Sequence, residues 1–75
     1  RILIKPSAVR EIEAIPQKRH RQRVVSRIGA FSEDPRPPGC EKLSGQGRFR
    51  VRQGPYRIVY SIKDDLLVVN VVKVG

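Results

Sequence analysis

Hydrophobic and polar residues alternate along residues 47–60, which predicts a β-hairpin with a turn at residues 53–55. Pairing Arg52 with Arg57 gives the shortest closure of that turn. Because successive side chains of a strand point to opposite faces, one face of the hairpin is apolar and the other carries guanidinium groups. The apolar face takes Phe49, Val51, Tyr56, Ile58 and Tyr60, and the arginine face takes Arg48, Arg50, Arg52 and Arg57.

The residues before the hairpin predict a strand followed by two helices. Ile2–Ile4 is an apolar run too short for a helix, so it reads as a strand. Apolar residues at helical spacing predict a first helix over Pro6–Ala14, since proline suits the first turn of a helix. Pro16 breaks that helix and begins a second over Pro16–Ala30. The apolar stripe of the second helix is Val24, Val25, Ile28 and Phe31.

The remaining segments complete a small sheet. A proline-rich loop (residues 32–39) precedes Leu43, which we expect to enter the core before a turn at Ser44–Gly47. A polar turn at Lys63–Asp65 leads into Leu66–Val74, an apolar run typical of a central strand. The order β-α-α-β-β-β predicts one α+β domain over residues 1–75, with both helices packed on the apolar face of a mostly antiparallel sheet. The arginine face is then left open or forms one wall of a groove.

The charge of the chain narrows the classes of partner. Sixteen Lys and Arg against seven Asp and Glu give a net charge of +9, which favours a nucleic acid or an acidic protein. Like charges on one sheet face repel each other, and arginine forks suit phosphate oxygens, so the arginine face predicts a polyanion site. A solvated face that happens to be basic is the alternative. The second helix carries a further basic cluster, which is either a solvated face or a contact surface for RNA or an acidic partner: Lys18, Arg19, Arg23 and Arg27.

Common catalytic and metal motifs are absent from the sequence. It has no glycine-rich phosphate loop, no nucleophile with a neighbouring base and no His/Cys metal spacing, so we expect no metal and no cofactor. His20 reads as a packing residue rather than a base. The single Cys40 forms no internal disulfide, which favours a reducing compartment such as a bacterial cytoplasm. No apolar run is long enough to cross a membrane.

Five motifs, in order, resemble the RelE/ParE superfamily of bacterial toxins, and in particular its RelE branch: Glu33–Gly39, Lys42–Gly45, Phe49–Arg52, Tyr56–Tyr60 and Val72–Gly75. The resemblance implies a microbial-ribonuclease-like fold and a toxin that cleaves mRNA in the ribosomal A site. The RNA 2′-hydroxyl is the nucleophile in such cleavage, a 2′,3′-cyclic phosphate is left, and no metal is needed. The resemblance also implies a cognate acidic antitoxin that wraps and blocks the toxin in a hetero-oligomer.

By position, the resemblance assigns roles to three arginines. Arg57 follows the aromatic residue of the third strand and is expected to stabilise the transition-state phosphate. Arg50 and Arg52 match the basic pair of the second strand and are expected to bind RNA. One of the two is a weak candidate for moving protons, because a guanidinium holds its proton too tightly for easy general-base work. In the family, Val-Gly is followed by a basic residue and a segment with a tyrosine, both implicated in cleavage. A chain ending at Gly75 is therefore expected to lack part of the machinery.

Two other functions stay open. A ParE-like toxin of the same fold inhibits DNA gyrase without RNA chemistry, although that branch generally lacks the basic set. An inactive toxin held by its antitoxin, or a basic RNA-binding domain, would act by binding alone.

Overall fold

In residues 1–45 and 47–75, which the computed structural model describes, five strands and two helices form the fold. Gln46, part of the predicted turn at Ser44–Gly47, lies outside the described residues. The predicted α+β class is confirmed, and a short strand is added before the hairpin. In chain order the elements are β1 (Ile2–Ile4), α1 (Pro6–Glu13), α2 (Lys18–Ala30), β2 (Glu41–Leu43), β3 (Arg48–Gln53), β4 (Tyr56–Lys63), a 3₁₀ turn (Asp64–Leu66) and β5 (Val68–Val74).

The sheet formed by these residues has the strand order β1-β5-β4-β3-β2, with β1 parallel to β5 and the other pairs antiparallel. The predicted register of the hairpin is confirmed, since Arg52 pairs with Arg57. The last pair is Gln53 with Tyr56, so the connection has two residues. Gly54 in that connection has a φ of 60°, a conformation that favours glycine and closes the turn without side-chain strain.

Both helices pack on the apolar face of the sheet. The core includes Ala8 and Ile12 of α1, Val24 and Ile28 of α2, and the inward residues of β3, β4 and β5. The apolar stripe predicted for the second helix is wrong at Val25, which is 53% exposed, because the adjacent Val24 takes the core position. The inward residues of the strands are Val51, Ile58, Tyr60, Val69, Val71 and Val74.

Arg21 stabilises the break between the helices. Its Nη1 donates a hydrogen bond to the carbonyl of Ile15 at 2.9 Å, so the guanidinium satisfies a backbone group near the end of α1. The Arg21 side chain therefore has a structural role at the junction of the two helices.

Tyr60 lies at the centre of the core and joins the sheet to the proline loop. Its buried ring stacks on Phe31 at a centroid distance of 4.2 Å and on Phe49 at 5.9 Å. Its hydroxyl donates to the carbonyl of Pro35 at 2.7 Å and contacts Cys40 Sγ at 3.3 Å. Burial raises the pKa of the Tyr60 hydroxyl well above its ordinary value, so the group remains a hydrogen-bond donor.

Arg36, an exposed residue of the proline-rich loop, ties this loop to the 3₁₀ turn. Its guanidinium makes two 3.0 Å hydrogen bonds to the carboxylate of Asp64 and lies 5.1 Å from the ring centroid of Phe49. The bond to Arg36 lowers the pKa of Asp64 below its ordinary value. The contribution of this exposed pair to stability is therefore present above about pH 4 and lost on acidification.

Two sequence expectations about leucines are wrong. Leu43 does not enter the core, because it lies on the edge strand β2 opposite Arg48 and is half-exposed. Leu66 and Leu67 do not begin the last strand, because the chain completes a 3₁₀ turn there and leaves them 63% and 78% exposed. Leu67 adopts a left-handed conformation with φ 52° and ψ 44°, which reverses the chain before β5.

None of the helices in the described part of the chain has the length and apolar character needed to cross a membrane.

Replacing Tyr60 by Phe is expected to lower the free energy of unfolding by about 1–2 kcal/mol, because the partly buried carbonyl of Pro35 loses its donor. Urea denaturation followed by circular dichroism measures the change. Tyr56→Phe is the matched control, since its half-buried hydroxyl makes no hydrogen bond to the other described residues. Equal losses in the two variants would contradict the assigned role of the Tyr60 hydroxyl.

Replacing Leu67 by Gly is expected to stabilise the protein by about 0.5–1 kcal/mol. The relief of left-handed strain exceeds the added entropy of the unfolded chain. Leu66→Gly is the control, because Leu66 is also exposed but has no positive φ, and this change is expected to destabilise. The same urea titration compares both. A loss of stability in Leu67→Gly matching that in Leu66→Gly would show that position 67 is not strained.

Candidate nucleic-acid interface

The four side chains of the arginine face lie together on the side of the sheet away from the helices. Arg48, Arg52 and Arg57 are exposed and Arg50 is half-buried, while the alternate residues of the same strands line the core. The alternation of arginine and core residues predicted from the sequence is therefore the one found in the structure. Roles in binding or catalysis remain predictions for these side chains.

Four residues of this face form one row across the strands, which we call the central row. Glu41 pairs with Arg50, Arg50 pairs with Val59, and Val59 pairs with Lys73. The row thus runs from an acid at the β2 edge, over an arginine and a valine, to a lysine on β5.

The neighbouring row places Arg57 beside the central row. Arg57 pairs with Arg52 on one side, and on the other it exchanges two backbone hydrogen bonds with Gly75 at 2.7 and 2.9 Å. These bonds fix the backbone of Arg57 although its side chain is free to reach a ligand.

A pocket of about 220 Å³ opens on this face. This space is large enough to admit a phosphate group. Its lining combines an apolar floor with three cations, and we call it the cationic pocket: Leu43, Arg50, Arg57, Val59, Lys73 and Gly75.

Larger depressions lie elsewhere, but their linings suit a polyanion less well. One of about 340 Å³ includes Arg1 together with the acids Glu33 and Asp64. Another of about 590 Å³ between the helices holds Arg21, whose guanidinium already bonds the carbonyl of Ile15. Concentrated positive charge, rather than volume, singles out the cationic pocket.

Both cations of the central row are paired with acids. Glu41 Oε2 lies 3.1 Å from Arg50 Nη2, and Glu11 Oε2 lies 3.6 Å from Lys73 Nζ. The other oxygen of Glu11 accepts a hydrogen bond from the backbone N–H of Val74 at 2.9 Å. Glu11 therefore covers the open edge of β5 beyond the end of β1.

The other three arginines of the face form no salt bridge with residues that the structure describes. Arg48, Arg52 and Arg57 thus present charge without an internal counter-ion. An incoming anion can reach Arg57 without displacing an acid.

The basic cluster of α2 lies in the other layer of the fold. Lys18, Arg19 and Arg23 are exposed there, separated from the arginine face by the sheet. Arg27 is half-buried against the proline loop, and its Nε is buried without a hydrogen-bond partner among the described residues. The structure thus divides the predicted RNA-binding residues between two surfaces, and Arg27 is the least accessible of them.

His20 belongs to the helix layer as well. Its ring packs edge-on against Tyr56 at a centroid distance of 5.8 Å, and the side chain is half-buried. This geometry matches the predicted packing role. In the described part of the chain, no three or more His, Cys, Asp or Glu side chains are grouped to hold a metal ion.

Sequence reasoning missed Lys73 and Glu41 as members of the site. Simple alternation places Lys73 on the core face with Val69 and Val71. However, Tyr60 pairs with Val71 and the adjacent Val59 pairs with Lys73, so β5 contains one extra residue that turns Lys73 outward. The one signal in the sequence that could have placed Lys73 on the open face was the presence of a lysine inside a mostly apolar run. Glu41 was missed because β2 has too few residues to show a period.

Comparison with known proteins agrees with this architecture. The profile described as "ParE toxin of type II toxin-antitoxin system, parDE" matches residues 2–75. A comparison with curated proteins gives no significant match.

Solved structures of RelE toxins share the fold. RelE in the archaeal RelE–RelB complex of Pyrococcus horikoshii OT3 superposes with a TM-score of 0.88 at 27% identity, covering 100% of this chain and 91% of that one. The intact E. coli RelBE toxin–antitoxin complex gives 0.81 at 26% identity, with 99% and 92% covered. The RelBE2 complex of Mycobacterium tuberculosis gives 0.72 at 23% identity, with 99% and 93% covered, and shows the fold alone. The profile match spans nearly the whole chain, and the chain therefore belongs to the ParE toxin family of type II toxin–antitoxin systems, within the RelE/ParE superfamily.

Proposed function

We propose that this toxin is a ribosome-dependent mRNA endoribonuclease that cleaves RNA by attack of its own 2′-hydroxyl, without a metal, and so inhibits translation. The observation that carries the proposal is the cationic pocket, where Arg50, Arg57 and Lys73 line a space large enough to admit a phosphate group. A toxin that acts on translating ribosomes acts in the cytoplasm.

Positive charge in the cationic pocket suits the chemistry of phosphodiester cleavage. Negative charge builds up on the phosphoryl oxygens as the 2′-oxygen attacks, and fixed donors aimed at these oxygens lower the barrier. Arg57 suits this work, because its backbone is held by Gly75 and no acid among the described residues forms a salt bridge with it. Arginine supplies two parallel donors to a phosphate, which lysine cannot do.

Arg48, Arg50 and Arg52 extend the binding surface along β3. Alternate residues of a strand are about 7 Å apart, so each of the three side chains can contact a different phosphate of an extended RNA. Such contacts bind RNA without reading its sequence and weaken as salt rises. Arg50 and Arg52 position the substrate in this scheme, and Arg57 acts on the reacting phosphate.

A cognate acidic antitoxin is the second partner we propose. A net charge of +9 favours an acidic protein, and both archaeal and E. coli relatives were solved as toxin–antitoxin complexes. The exposed cations of α2, Lys18, Arg19 and Arg23, offer this partner or ribosomal RNA a second charged surface.

One observation favours a different function. The profile that matches the chain is named for ParE, so inhibition of DNA gyrase is the alternative. The three arginines of the cationic pocket and its rim, Arg50, Arg52 and Arg57, favour RNA chemistry over it.

Replacing Arg57 by Ala is expected to lower the rate of mRNA cleavage on programmed ribosomes about 10²–10³-fold, because the developing phosphate charge loses its main donor. Primer extension on the mRNA measures the cut. Arg10→Ala, which removes the same charge from an exposed position on α1, is expected to keep the wild-type rate.

Equal cleavage by the Arg57→Ala variant and the wild type would contradict the role of Arg57. Loss of DNA supercoiling by purified gyrase, with mRNA left intact, would instead favour the ParE-like function. Salt-sensitive RNA binding with neither activity would identify a binding module.

A further inference from the structure

Cleavage by the 2′-hydroxyl needs two proton transfers that arginine performs poorly. The 2′-hydroxyl must lose a proton as it attacks phosphorus, and the departing 5′-oxygen must gain one. A guanidinium has no free lone pair and keeps its proton at neutral pH, so it serves neither step well. The pocket therefore needs a proton acceptor and a donor of another kind.

The central row supplies one of each, on opposite sides of the pocket. Glu41 reaches the wall formed by Arg50, since the two side chains are 3.1 Å apart. Lys73 lines the opposite wall directly. Their backbones are three strand spacings apart, about 14 Å. Between the two lies Val59, whose short side chain leaves the space open above it, and Arg57 borders that space two residues away on β4.

We propose that Glu41 accepts the proton of the attacking 2′-hydroxyl and that Lys73 donates a proton to the departing 5′-oxygen. This inference rests on the proposed function and assigns its proton transfers to the ends of the central row. Two features single out this pair. Glu41 is the acid bonded to an arginine of the cationic pocket, and Lys73 is its ammonium group.

The reaction balances with these two groups. The 2′-oxygen forms a bond to phosphorus while its proton moves to the Glu41 carboxylate. The bond from phosphorus to the 5′-oxygen breaks, and that oxygen takes a proton from the Lys73 ammonium. The products are a 2′,3′-cyclic phosphate and a free 5′-hydroxyl. Proton exchange with water then restores the carboxylate and the ammonium.

Charged neighbours hold both groups in place. Glu41 faces Arg50 of β3, and Lys73 faces Glu11 of α1 at 3.6 Å, with Arg57 of β4 beside the same space. Arg50 therefore has two tasks, because it holds the proton acceptor and binds the phosphate. The loose Lys73–Glu11 contact restrains the ammonium without enclosing it.

The first test replaces Glu41 by Gln, whose amide oxygen can still accept a hydrogen bond from Arg50 but cannot take a proton. Single-turnover cleavage of mRNA on programmed ribosomes is expected to slow about 10²–10⁴-fold, with ribosome binding unchanged. Glu41→Asp should recover part of the rate, and Glu13→Gln, an exposed acid of α1, should match the wild type.

The second test changes the leaving group of the mRNA from oxygen to sulfur. Lys73→Ala is expected to cleave ordinary mRNA slowly, but to cleave at nearly the wild-type rate an mRNA with sulfur in place of the scissile 5′-oxygen. A thiolate leaves without a proton, so only the loss of a proton donor is rescued by this substrate. Lys5→Ala, an exposed lysine ahead of α1, should behave like the wild type on both RNAs.

The outcomes separate this inference from the proposed function. If the wild type cuts and Arg57→Ala does not, but Glu41→Gln keeps the wild-type rate, the assignment of Glu41 is wrong while the nuclease stands. Faster cleavage by Glu41→Gln would also overturn it, since the acid would then compete with phosphate for Arg50. A Lys73→Ala defect that sulfur does not rescue overturns the role of Lys73. A wild-type chain that cuts no mRNA overturns both proposals.

Discussion

The two-residue period of β3 and β4 is the constraint on which the candidate site depends. Val51 pairs with Ile58 and Phe49 with Tyr60, so the apolar side chains of both strands lie against the helices. A slip of one residue would turn the guanidiniums toward the core and expose these apolar groups. Burying even one unpaired guanidinium costs several kcal/mol, which no change in the turn offsets. The core therefore fixes the position of every arginine on the open face.

Tyr60 extends this constraint to the edge of the site. Its hydroxyl bonds Pro35 and contacts Cys40, and Cys40 is the residue immediately before β2. The position of the first residue of β2, Glu41, thus follows from a contact made in the core. Glu41 then pairs with Arg50 across the strands. A tyrosine that faces away from the cationic pocket consequently determines where the acid of the central row lies.

The sequence was sufficient for the hairpin, its register, the two helices and the arginine face, because each has a clear period over enough residues. It was insufficient where a local irregularity breaks the period. One extra residue in β5 moves Lys73 to the open face, and a left-handed Leu67 turns an apolar pair outward. β2 is too short for any pattern. Such features depend on the pairing between strands, which a single strand's sequence does not encode.

Ion pairing within the central row does not prevent the arginine face from binding an anion. Exposed ion pairs contribute only about 0–1 kcal/mol, because water screens them and two long side chains must be ordered. A charge-assisted hydrogen bond between phosphate and a guanidinium is stronger than that. Phosphate can therefore share Arg50 with Glu41, and in the described part of the chain no acid is paired with Arg57. The like charges on this face lower the stability of the free protein, and a bound polyanion would remove that repulsion, so the cost of the arrangement is present only while the site is empty.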